Sequence, residues 1–70
     1  MSAGNILMRL DRWRERGQLD RERFQTNESL AYQLSYLREW IWSNAEDVIV
    51  ATALERAWRH GAKMPESEDV

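Results

Sequence analysis

Few residues in this sequence have the type and spacing for bond-making chemistry. His60 is the single histidine and cysteine is absent, so no zinc or iron cluster and no disulfide framework can be assembled from side chains. His60 stands in the last turn of a helical stretch, just before Gly61. No partner at a fixed spacing makes it a general acid or base. Ser29, Ser35 and Ser43 lack a neighbouring histidine, and neither a glycine-rich phosphate loop nor a paired-carboxylate motif is present. The expectation is a protein that is not an enzyme and carries no cofactor or metal.

Recognition chemistry is better represented. Tyr32, Tyr36 and Trp40 recur at i, i+4 and i+8, so on a helix their rings lie along one line. Trp13, Trp40, Trp42 and Trp58 are more tryptophan than one small core holds, and exposed rings in a row are the material of interface hot spots. Tyr32, Tyr36, Trp40 and Trp42 are therefore the candidate partner-binding residues. The competing reading makes them covers for the edges of an undersized core. Arg9, Arg12 and Arg16, at spacings 3 and 4, form a basic stripe opposite Ile6, Leu10 and Trp13; with Arg21 and Arg23 they are the candidate phosphate-binding set. Asp11 and Glu15 flank the stripe and partly neutralise it, which favours a solvated face.

Three helices must position these groups, because apolar residues recur at helical spacing and alternation never persists as in a strand. The first is expected over Ala3 to Arg16, with Ile6, Leu10 and Trp13 as its stripe and Gly17 as its stop. Asp20 then reads as an N-cap, and Leu19 with Phe24 as a hydrophobic staple, predicting a short extra helical turn before a break near Thr26. The segment Arg16, Gly17, Gln18, Leu19, Asp20, Arg21, Glu22, Arg23 and Phe24 resembles the turn of short C-terminal helical-hairpin modules linked to oligomerisation. Nine residues of stop, cap and staple carry no family assignment. A helix-turn-helix placed on Gly17 fails, since it puts Trp13 where a small residue is needed.

The second helix is expected over Glu28 to Trp42, its seam being Leu30, Leu34, Leu37 and Ile41. Ser43 with Glu46, or Asn44 with Asp47, supplies a capping box for the third. There Ile49, Val50, Ala53, Leu54 and Ala57 share the buried face, Trp58 lies at its margin, and Gly61 and Pro65 end it. The fold class is all-α: one three-helix domain over residues 1–64, followed by a disordered acidic tail over 65–70. The terminal Glu68, Asp69 and Val70 resemble a carboxylate-capture motif but read better as a solvated end.

At 70 residues, 43% hydrophobic and 31% charged, the chain has room for one core only. Its net charge of -2 is unevenly spread: residues 1–24 hold six arginines against four carboxylates, and residues 25–47 hold Arg38 against four. A sequence pI near 5.3 lacks the positive field of a non-specific nucleic-acid binder. The longest uncharged stretch, Ser29 to Leu37, is far short of the roughly 20 residues that span a bilayer. With no targeting pattern at the start, the expected location is cytoplasmic. These features point to a small interaction protein, a regulator or inhibitor covering a surface of a larger protein. A nucleic-acid-binding or transcription-accessory protein using the arginines, or a purely structural homodimer, are the alternatives.

Overall fold

The computed structural model describes residues 3–65, and the acidic tail expected over 65–70 lies outside them except for Pro65. Three helices account for nearly all of that span: α1 (Ala3–Arg23), α2 (Asn27–Asn44) and α3 (Val48–Gly61). The all-α expectation is met. No strand occurs among the described residues.

α2 and α3 form an antiparallel hairpin, joined across residues 45–47. Thr26 caps α2 by accepting from the Ser29 amide, and Asp47 caps α3 by accepting from the Val50 amide at 2.9 Å. The expected capping boxes at Ser43 and Asn44 do not form, because both residues remain in α2 and Asn44 donates back to the Trp40 carbonyl at 2.8 Å. The seam of α2 is as expected: Leu30, Leu34, Leu37 and Ile41 are buried. On α3 the phase is rotated. Ala51, Leu54, Trp58 and Gly61 are buried, Trp58 completely, whereas Ile49 is 78% exposed.

The largest departure is α1, which runs unbroken through Gly17 and Asp20 to Arg23. There is no stop, extra turn, cap or staple. Leu19 is exposed, and the likeness of residues 16–24 to a hairpin turn ends with the continuity of the helix. Gly17 is buried where α1 lies against α3: a Cβ there would run into the Trp58 carbonyl oxygen and stand 2.8 Å from the Ala62 nitrogen. Gly61 is the reciprocal element, since its own Cβ would strike the Arg14 carbonyl. Neither glycine has a positive φ. Both serve close approach of two backbones, and the left-handed residue that ends α3 is Lys63, at φ 57°. Lys63 N donates to His60 O and Met64 N to Arg59 O, closing a Schellman turn whose apolar end, Met64, packs on the core.

At this crossing Asp20 is fully buried and accepts from Trp58 Nε1 at 2.9 Å, while Arg16 Nε lies 3.3 Å from the same carboxylate. Arg21 completes the fastening. It donates to Ala62 O at 2.8 Å, Asn27 Oδ1 at 2.9 Å and Gln25 O at 3.3 Å, tying the ends of α1 and α3 to the start of α2. From Arg9 with Glu46 just before α3 to Arg21 with Ala62 just after it, the contacts advance together along the chain, so α1 and α3 are parallel.

Two outcomes follow for stability. Gly17→Ala in an ordinary helix interior would gain about 1 kcal/mol; here the collision with Trp58 and Ala62 backbone reverses the sign, and overpacking predicts a net loss of about 1 to 3 kcal/mol in a denaturant melt. Trp58→Phe removes the donor from a buried carboxylate. It should cost at least about 2 kcal/mol, read from the same melt, with the α-helical spectrum kept below the transition.

Candidate functional site

α3 packs against both other helices, whereas the backbones of α1 and α2 lie farther apart and meet through side chains such as Leu10 and Trp13. The consequence is an open groove of about 580 Å³ along the α1/α2 side. Its floor is Trp13, Leu37, Ile41 and Leu54. Arg9, Arg12 and Arg16 of α1 form one wall, and Tyr36, Trp40 and Asn44 of α2 the other. The arginine stripe therefore lies beside Trp13 rather than opposite it, a phase error in the sequence reading with a useful result. The two candidate sets meet across one groove.

The aromatic set divides. Trp40 is 58% and Tyr36 63% exposed at the groove, and Tyr32, at 80%, continues the line outward along α2. Trp42 is on the other flank, against α3, where its Nε1 donates to Glu55 at 3.3 Å.

The arginine set divides too. Arg9 makes a forked pair with Glu46, 2.9 Å at its shortest, which pins the α2–α3 connection to α1. Its hydrogen bonds hold the Glu46 carboxyl below the usual carboxylate range. Arg16 is held by Asp20, and Arg21 by the helix ends. Arg23 lies 5.6 Å from the centre of the Phe24 ring, away from the groove lining. Arg12 is exposed and makes no hydrogen bond or ion pair among the described residues. Among the described residues it is the groove's one uncommitted cation.

What this arrangement can do is hold a flat or apolar side chain between a guanidinium and an indole, with the negative ring face toward the cation. No protein-family model, curated protein or solved structure matches the chain. The reading of the groove therefore rests on its geometry alone.

Sequence reasoning missed a second polar cluster. Glu55, largely buried, accepts from Arg38 at 2.9 Å and from Trp42, with Arg59 at 3.7 Å. Only the i, i+4 spacing of Glu55 and Arg59 was visible as a signal. Burial is the strongest influence on Glu55 and raises its pKa; the hydrogen bonds from Arg38 and Trp42 and the charges of Arg38 and Arg59 together outweigh it, leaving the pKa lowered. The same pairing raises Arg38. A depressed folded pKa means the unfolded chain binds the proton more readily, so this contribution is present above the unfolded value of about 4.3 and is lost as pH falls through the folded one. Glu55→Gln should flatten that part of the acid limb, measured as stability against pH from about 5 downward.

Proposed function

We propose that this protein is a non-enzymatic interaction module, a regulator or inhibitor that docks a polypeptide element of a larger protein in the groove between α1 and α2. Tyr36 and Trp40 are the anchors, and Tyr32 extends the contact along α2. The observation that carries this reading is the pairing of an exposed aromatic wall with an arginine wall across one apolar floor. A helix or extended segment presenting one apolar side chain to that floor would desolvate both rings, which is where interface energy concentrates.

The phosphate-binding alternative draws less support from the same residues. Arg9, Arg16 and Arg21 are committed to Glu46, Asp20 and the helix ends. Binding dominated by phosphates needs several cations released to the ligand and weakens steeply with salt.

A photoreactive phenylalanine analogue placed at position 36, in cells that natively produce the chain, tests the proposal against the same analogue at Ile49, which is more exposed but outside the groove. The expected outcome is a covalent adduct with another protein from position 36 and none from position 49. Equal adducts from both positions, or none with any other protein, would overturn it.

A further inference from the structure

The rim of the groove carries both halves of a reciprocal contact. In an isologous twofold interface a residue that meets a second residue on its partner must be met in return, so a self-associating patch has to display cation and ring together. Arg12 on one wall is exposed and uncommitted, and Trp40 on the facing wall is 58% exposed. We infer that the groove's resting occupant is a second copy of this chain, placed so that Trp40 of each copy lies over Arg12 of the other. This rests on the docking-groove reading above and says what fills the groove when no larger protein does.

Charge favours the approach. Arg9 and Arg16 are neutralised within the chain by Glu46 and Asp20, so two rims meet without a row of like charges. A net charge of -2 adds little repulsion between copies. Size limits the strength of the contact. The open surface of Tyr32, Tyr36 and Trp40 comes to roughly 400 Å² at usual ring areas, short of the about 800 Å² per partner of a standard interface. The pairing is thus reversible, with dissociation in the micromolar range.

Sedimentation equilibrium of the full chain over an about hundredfold dilution through micromolar concentrations is the test. The mass should fall from a dimer toward the 8.4 kDa monomer. Trp40→Ala and Arg12→Ala should each weaken association at least about tenfold with helical circular dichroism unchanged; Arg12, being exposed and outside the core, guards against loss of fold. Ile49→Ala, which removes a more exposed apolar side chain outside the groove, should leave association as it is. A wild type that is monomeric throughout, or an assembly untouched by both groove variants, or one weakened equally by Ile49→Ala, overturns the inference. A monomer that still forms the foreign adduct from position 36 defeats this inference alone, and a groove-dependent dimer without any foreign adduct defeats only the larger-protein reading.

Discussion

The absence of two side chains, at Gly17 and Gly61, lets the backbones of α1 and α3 come together, and most of the architecture depends on that approach. It brings Asp20 within reach of the Trp58 indole and lets Trp58 be enclosed completely, filling the centre of a core otherwise made of Leu30, Leu34, Leu37, Ile41 and Leu54. A buried carboxylate is tolerated there because two donors, Trp58 Nε1 and Arg16 Nε, replace the water it loses. With α1 drawn so tightly onto α3, it stays apart from α2. The groove is what that asymmetry leaves open.

The charged groups that fasten the helices to one another sit at junctions. Arg9 fixes the α2–α3 connection, Arg21 binds three chain segments at the helix ends, and Glu55 gathers Arg38, Trp42 and Arg59 where α2 meets α3. Isolated surface pairs contribute little. A carboxylate with several donors in a partly buried place contributes more, which suits a chain too short to stabilise itself by core volume alone.

The α2 helix was legible because its Leu30, Leu34, Leu37 and Ile41 spacing is unambiguous and Thr26 is a good cap for it. Gly17 and Asp20 were misread for one reason: each type has a strong local meaning as stop or cap, and here tertiary packing overrides it; Gly61 does stand last in α3, but its close approach to Arg14 was not foreseen. Trp58 was assigned to a margin because a local helical face cannot report which residue a distant aspartate will accept from. The aromatic line of α2 and the arginine stripe of α1 were both visible in sequence. That they face each other was not, since it depends on pairings some 37 to 41 residues apart, from Arg9–Glu46 to Arg21–Ala62.

The same separation governs how the chain assembles. α2 and α3 are neighbours joined by a short turn, whereas α1 finds its parallel partner only across the whole length of α2, so a large loop must close before Gly17 and Gly61 interlock. α1 also carries Gly17 in its interior, which weakens it as an isolated helix. α1 is thereby the strap whose docking closes the longest loop of the fold. Any loosening of the strap exposes Asp20 and Trp58 and, in the same motion, dissolves the arginine wall, so the groove exists only in molecules whose fastening is complete.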